Sequence, residues 1–255
     1  MVDDMVMRRL AENLKAQNWT AITIEFVLLV VGVFLGIQVA NWNEARVERD
    51  LVRGHLAEIA QDLRAQEALS RELDESAMLR IAAVDHIHFE AFGTRLPNEI
   101  VLGSTTWKVP DVPPFPEDRL EHLLGSVNLV RVSVRARNGY ESLISSGRLG
   151  LLRNTDLASH IQSYYGNYDD LLNTQSEVFR AFRTEGAIRQ FGLGISVFDQ
   201  RPASEVAQLA RDNPGFAAYL RSQREWAILH LSLLRRGGEE TRALLTAIED
   251  ELKQP

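Results

Sequence analysis

The sequence contains no cysteine, which excludes a disulfide framework, a thiolate nucleophile and a cysteine metal site. It also has no excess of positive charge. Its 28 Lys and Arg are outnumbered by 35 Asp and Glu, and the net charge of −7 argues against nucleic-acid binding, which requires a basic face. No phosphate loop, dinucleotide fingerprint or nucleophile elbow is present. We therefore predict neither enzymatic activity nor a nucleic-acid partner.

Long apolar runs are missing too, with one exception at residues 22–40, between Trp19 and Trp42. A membrane-spanning helix needs about 20 apolar residues, because the hydrocarbon core is ~30 Å thick. The two tryptophans are 23 positions apart, about 34 Å along a helix, which places each at a lipid–water interface. Thirteen Val, Leu, Ile and Phe side chains supply about −6 kcal/mol, against a cost of about 3 kcal/mol for Glu25. We predict a transmembrane helix over residues 19–42.

Two other interpretations compete with a transmembrane helix. A cleaved signal peptide would carry small residues before the cleavage site, where Gln38 fits poorly. A buried helix of a soluble protein could also be this apolar over this length. The two flanking tryptophans and the polar sequence on both sides favour the lipid bilayer.

One face of the predicted helix carries Glu25, Gly32, Gly36 and Ala40. Gly32 and Gly36 form a G-x-x-x-G motif, which lets two helix backbones approach closely in lipid. This pattern indicates a homodimer or a docking face for a partner helix. The alternative is that glycine is common in membrane helices and that Glu25 extends to the nearer interface.

Two stretches carry specific residue patterns. The first comprises Glu25, Leu28, Val30-Val31-Gly32, Gln38 and Asn41-Trp42-Asn43-Glu44. The second comprises Tyr140-Glu141-Ser142-Leu143-Ile144-Ser145-Ser146-Gly147, Leu149, Leu152 and Tyr164-Tyr165. Both resemble an uncharacterised bacterial family of single-pass membrane proteins that has no assigned activity. The resemblance implies the architecture of an anchored protein and implies nothing about chemistry.

The whole chain is predicted to be mostly α. Beside the transmembrane helix, it divides into a short N-terminal segment (1–18), a long helix emerging from the membrane (43–92), a proline-rich loop region (93–118) and an antiparallel helical bundle (119–255). In the long helix, Val52, Leu56, Ile59 and Leu63 recur at the spacing of one buried face. Two strand-like stretches around Gly103-Ser104 predict a small β-hairpin within residues 98–110.

Local signals predict several boundaries in the bundle. Gly147 is expected to end the helix that starts near Tyr140, and Asn154 or Thr155 to cap the next one. Residues 192–202 are predicted to form a loop. Pro214 is expected to start a helix in its first turn, and Gly237-Gly238 to bend or break that helix. Residues 127–134 fit a strand and a short helix equally well.

The densest group of potential metal ligands lies at residues 85–90. On a helix, His86 and Glu90 share a face, and Asp85 pairs with His88. Carboxylate-bridged iron bundles use Glu-x-x-His on two helices, and this sequence contains no such pair. A solvated helix face is therefore favoured over a metal site, and we predict no metal and no cofactor.

The tyrosines Tyr164, Tyr165 and Tyr168 form the other cluster that invites a functional interpretation. They could line a ligand cleft. Aromatic residues at helical spacing are more often part of a core, and that interpretation is favoured here.

The orientation in the membrane is only weakly encoded. Three basic residues precede the apolar run (Arg8, Arg9 and Lys15) and three follow it (Arg46, Arg49 and Arg53), so the positive-inside comparison is a tie. A short uncleaved leader before a first helix usually stays in the cytoplasm. We predict a single-pass protein of the bacterial inner membrane with its C-terminal domain in the periplasm.

Several functions are compatible with these features. The first is a membrane-anchored interaction or scaffold module of the bacterial envelope, which dimerises or docks through its anchor. The second is a ligand-sensing domain with a cleft near residues 94–116 and the tyrosines, signalling through a partner. An unrecognised hydrolase or metal enzyme ranks below both. Pilin-like assembly is a minor alternative, because Thr23-Ile24-Glu25 is similar to a type IV pilin leader but Thr20 stands where that leader has glycine.

Overall fold

The apolar run and the polar residues after it form one helix, α1 (Trp19–Phe92), in a computed structural model that describes residues 19–131, 136–174, 180–196 and 199–254. The helix ends where the sequence predicts. Gly93 follows with φ of 69°, and its N–H donates to the carbonyl of Phe89 at 2.8 Å. Glycine adopts this left-handed conformation without a Cβ clash, so it closes the helix at low cost.

The chain divides into two compact units, Met1–Arg53 and Gly54–Pro255. In the first unit, every residue from Ile22 to Val47 is exposed. One helix in the described part of the chain contains a stretch long and apolar enough to cross a membrane, and none of that stretch is buried. A helix that is apolar on all sides has no polar face to present to water.

The second unit holds the elements that follow α1. They are β1 (Glu99–Leu102), β2 (Thr105–Lys108), α2 (Leu123–Asn128), α3 (Asn138–Ser145), α4 (Thr155–Thr174), α5 (Arg180–Gly192), α6 (Ala203–Asp212) and α7 (Pro214–Lys253), with 3₁₀ turns at Glu117–His122 and Arg148–Leu151. The fold is mostly α with a small two-stranded sheet, as predicted.

The two strands form the predicted hairpin. They pair antiparallel with Ile100 opposite Trp107. The two-residue turn contains Gly103 with φ of 60°, the backbone conformation that tight hairpin turns require. The N–H of Val109 donates to the carbonyl of Asn98 at 2.8 Å and closes the open end of the hairpin.

The core of the second unit is built along α1. Leu56, Ile59 and Leu63 are buried, as their spacing predicts. Further along, one cluster joins α1 to α2, α6 and α7 through Ala83, Ile87, Leu123, Leu124, Val206, Phe216 and Leu220. A second cluster joins Ala77 and Ile81 of α1 to Ala227, Ile228 and Leu231 of α7. Hydrophobic burial along these stripes stabilises the unit.

The predicted helix boundaries in the second unit are confirmed at three positions. Gly147 follows α3 with φ of 70°. The side-chain oxygen of Asn154 accepts a hydrogen bond from the N–H of Leu157 at 3.1 Å and caps α4. Pro214 is the first residue of α7.

One expectation about a helix is wrong in part, and one helix was not expected. Of the bend or break expected at Gly237-Gly238, the break is wrong, because α7 continues to Lys253. Its glycine turn is supported by the Thr241 hydroxyl, which donates to the Gly237 carbonyl at 2.8 Å. Helix α6 was not predicted, because its buried face is made of Val206, Ala207 and Ala210, a weak apolar signal.

Some expectations fall outside the described residues. These are the N-terminal segment 1–18, residues 132–135, and the side chains of Trp19 and Tyr168. Of the stretch 127–134, Val127 and Asn128 belong to α2, which favours the helical interpretation for its beginning alone.

Candidate functional site

The small-residue face of the anchor lies open. Glu25, Gly32, Gly36 and Ala40 are all exposed on α1. A Cβ added at Gly32 or Gly36 would meet no atom within 4 Å. The face therefore has room for the backbone of a second helix to approach.

The last residues of the first resembling stretch lie at the end of the apolar run and directly after it. Gln38, Asn41, Asn43 and Glu44 are exposed, and the side chain of Trp42 is 63% exposed. None of these side chains is among the buried residues of the described chain. They are available at the position where a spanning helix would leave the hydrocarbon layer.

Helix α3, which carries the start of the second resembling stretch, packs against α1 within the second unit through Gly139, the residue just before that stretch. A Cβ at Gly139 would lie 2.6 Å from the backbone nitrogen of Ile59 and 2.9 Å from Cβ of Glu58. The N–H of Gly139 also donates to Asp62 Oδ2 at 3.2 Å. Glycine is required here because the backbones of α3 and α1 are in contact. Gly139, which precedes the stretch, thus allows α3 to pack closely on α1.

A stack of aromatic rings joins α3 to α4. The rings of Tyr140 and Tyr165 lie 4.1 Å apart and nearly parallel, at 14°. The guanidinium of Arg137 is 5.6 Å from the Tyr140 ring and 5.8 Å from the Tyr165 ring, close enough for cation–π attraction. Tyr165 is fully buried, whereas Glu141, Ser146 and Gly147 are exposed. The inner half of the stretch therefore packs and its outer half faces solvent.

Tyr164 belongs to the core and not to a cleft. Its ring meets Tyr165 edge-on, and its hydroxyl lies 2.8 Å from Thr241 Oγ1. Because Thr241 gives its proton to the carbonyl of Gly237, Tyr164 must donate to Thr241. The interpretation of Tyr164 and Tyr165 as core residues is confirmed.

The acidic and histidine residues at 85–90 are engaged with other partners. His86 Nε2 lies 3.4 Å from Glu90 Oε2, as expected for residues on one helix face. Asp85 accepts hydrogen bonds from Arg224 at 2.6 and 3.4 Å. Burial, together with the charge of Arg221, lowers the pKa of His88 below its usual 6.5. Among the described residues, no three His, Asp or Glu side chains are placed to share a metal ion.

The partner of Asp85 also holds the loop that leads to the hairpin. The side chain of Arg224 is 5% exposed, and it donates to the carbonyl of Pro97 at 3.0 Å as well as to Asp85. A buried guanidinium needs such partners because its desolvation is costly. Arg224 thereby ties α7 to α1 and to the start of the hairpin.

A cleft of about 240 Å³ lies between β2 and α7. Its apolar lining comes from Trp107, Pro110, Ile228 and Leu231. The indole N–H of Trp107 is buried and has no hydrogen-bond acceptor among the described residues, which costs about 1–3 kcal/mol. This cleft lies near the predicted position at residues 94–116, and its lining does not include the tyrosines.

Charged side chains also line this cleft. Arg235 is paired with Asp74 at 3.2 Å and Arg236 with Glu240 at 3.3 Å. Lys108 and Glu239 line it too, and neither forms an ion pair with any residue that the structure describes. Sequence analysis missed this site because its two walls, at Trp107 and Ile228, are 121 positions apart and neither carries a local motif.

A comparison of the chain with protein-family models, with curated proteins and with solved structures finds no match. The resemblance of its two stretches to a family of single-pass membrane proteins therefore stays a prediction.

Proposed function

We propose that this protein is a membrane-anchored helical module that docks through its anchor helix with a second copy or with another membrane protein. The observation that carries the proposal is the complete exposure of an apolar helix stretch beside a unit that has its own core. Exposed apolar surface of this extent is unfavourable in water. Insertion into lipid removes it, with a gain of about 6 kcal/mol from the apolar side chains.

The proposed location is the bacterial inner membrane, with the second unit in the periplasm. A topology reporter fused to the C-terminus tests it. Activity of a periplasmic reporter is expected, and activity of a cytoplasmic reporter alone would contradict the orientation.

The membrane anchor itself is tested by fractionation. Replacing Val30 and Val31 with arginine raises the free energy of membrane insertion by about 3 kcal/mol for each arginine. Together the two arginines offset the gain from the apolar residues. We expect the unaltered chain to resist carbonate extraction from membranes and V30R/V31R to lose that resistance. The matched control places two arginines at Val47 and Leu51, which are exposed outside the apolar run. An unaltered chain that stays in the supernatant after high-speed centrifugation would overturn the proposal.

The proposed docking face at Gly32 and Gly36 is tested by filling it with larger side chains. Gly32→Leu with Gly36→Leu fills the open space and is expected to lower self-association in a membrane two-hybrid assay. Val33→Leu with Ile37→Leu introduces the same two leucines on a different face with little change in volume and serves as the control for leucine substitution in this helix. An unchanged signal would exclude the self-dimer and leave docking with another membrane protein.

Ligand sensing is the second candidate function. The cleft between β2 and α7 favours it, because the cleft combines apolar walls with charged groups at the rim. In this proposal the second unit binds a small molecule and passes the signal through the anchor to a partner.

A further inference from the structure

The size of the cleft between β2 and α7 restricts its occupant. A volume of about 240 Å³ lies below the range of sites that hold drug-sized ligands, nucleotides or haem. Ile228 and Leu231 are both buried core residues that reach the cleft from α7, and Trp107 faces them from the hairpin. The occupant is therefore a small molecule with an apolar part.

The charges of the cleft restrict the occupant further. Asp74 and Glu240 already pair with the two arginines. Lys108 and Glu239 form no ion pair with any described residue, although Glu99 stands opposite Lys108 across the hairpin. A simple carboxylate would pair with Lys108 and would leave Glu239 to water alone. A simple amine would satisfy Glu239 but would meet Lys108 and the arginines. Only a ligand with both charges pairs with both residues.

We propose that this cleft binds a small zwitterion with an apolar body, of the class of free amino acids with aliphatic or aromatic side chains. Lys108 pairs with the ligand carboxylate and Glu239 with its ammonium group, while the side chain packs on Trp107, Ile228 and Leu231. Ser232, which also lines the cleft, offers a hydroxyl to either charged group. The inference rests on ligand sensing, the second candidate function, and is independent of docking through the anchor.

The binding test uses the full chain in detergent micelles, titrated with L-leucine and L-phenylalanine. Binding is followed by the thermal unfolding midpoint and by tryptophan fluorescence, since Trp107 lines the cleft. Two analogues of phenylalanine each lack one charge: 3-phenylpropanoate has no ammonium and 2-phenylethylamine has no carboxylate. We expect at least tenfold tighter binding of the amino acid than of either analogue. No saturable binding, or equal affinity for amino acid and acid, would overturn the inference.

Two variants test which residue pairs with each charged group of the ligand. Glu239→Gln is expected to remove the preference for phenylalanine over 3-phenylpropanoate, and Lys108→Gln the preference over 2-phenylethylamine. Both side chains are exposed, so neither change removes a core contact. Glu205→Gln, at an exposed position on α6, is the matched control and should leave every affinity unchanged. If Glu239→Gln and Lys108→Gln also leave the affinities unchanged, the proposed pairing is wrong.

The experiments distinguish an error in the proposed ligand class from an error in the proposal that the protein senses a ligand. If the amino acids do not bind but another small solute raises the unfolding midpoint, the proposed ligand class is wrong. The proposal that the second unit binds a small molecule then remains supported. The output is read from disulfide cross-linking between copies that carry Gly36→Cys in the anchor. If phenylalanine binds with the expected pattern but leaves this cross-linking unchanged, the ligand class stands and sensing through the anchor is wrong.

Discussion

Large apolar side chains are exposed in the first unit of this chain and buried in the second. In the first unit, Leu29 is 65% exposed and Phe34 58% exposed, although both lie in a helix. In the second unit, Ile59 and Leu63 of the same helix are 0% and 2% exposed. The difference lies in the pattern, because apolar residues fill all sides of one stretch and a single stripe of the other. A single apolar stripe can be buried against other helices of the same chain. A helix that is apolar on all sides is more favourable in an apolar solvent such as lipid.

The sharpest test of this comparison is one truncation made in each unit. Ile59→Ala leaves a cavity in the core and is expected to lower the free energy of unfolding by about 2–5 kcal/mol. Leu29→Ala removes a similar volume from an exposed site and should leave unfolding unchanged. Denaturant unfolding of the full chain in detergent, followed by circular dichroism, measures both. Equal losses would mean that the exposed stretch contributes to the folded core.

Breaking an ion pair is expected to have the next largest effect on the free energy of unfolding. Asp85→Ala leaves the Arg224 guanidinium buried without its carboxylate and should cost about 3 kcal/mol of unfolding free energy. Glu240→Gln breaks an exposed pair with Arg236 and should cost less than about 0.5 kcal/mol. Burial of the cation, and not the number of ion pairs, decides the outcome. Similar costs for the two variants would contradict this.

A buried tyrosine makes the stability of the second unit depend on pH. Burial raises the pKa of Tyr219 to about 12, and its hydroxyl donates to Asn128 Oδ1 at 2.6 Å. The folded chain therefore keeps this proton while the unfolded chain loses it near pH 10. Stability is complete below pH 10 and should fall by about 2–3 kcal/mol as the pH rises to 12. Tyr219→Phe should remove most of this decline, as measured by denaturant unfolding at each pH.

Glycine positions provide the smallest contrast. Gly139→Ala forces a methyl group against the backbone of Ile59 and should cost about 1–3 kcal/mol. Gly166→Ala lies inside α4, where a Cβ would meet nothing within 4 Å, and should stabilise the unit by about 0.5–1 kcal/mol. The two unfolding free energies should move in opposite directions. A stabilising Gly139→Ala would show that α3 does not rest on α1.

The parts of the fold that could be predicted are those with local causes. The exposed apolar stretch of α1 follows from composition alone, and it is long enough to cross a bilayer. The ends at Phe92, Gly147 and Asn154 follow from residues that supply a left-handed turn or a cap beside the helix itself. The hairpin follows from one glycine between two strand-like stretches.

The parts that could not be predicted depend on distant partners. Gly237-Gly238 suggests a break, yet Thr241 and Tyr164 reinforce that turn from within α7 and from α4. Helix α6 is recognisable as buried only once its alanines meet α7. The cleft has the same origin, since Trp107 and Glu239 carry no signal until the hairpin lies on α7.

The fork of hydrogen bonds at Arg224 has a consequence for protein engineering. This side chain does not line the cleft, yet it fixes Pro97, where the backbone enters the strand pair that carries Trp107. The position of the hairpin therefore depends on a residue outside the cleft. A library that randomised only the lining positions would leave this contact unchanged, and Arg224→Lys is expected to shift the hairpin, because the lysine ammonium cannot reproduce the planar guanidinium that donates to both Asp85 and Pro97.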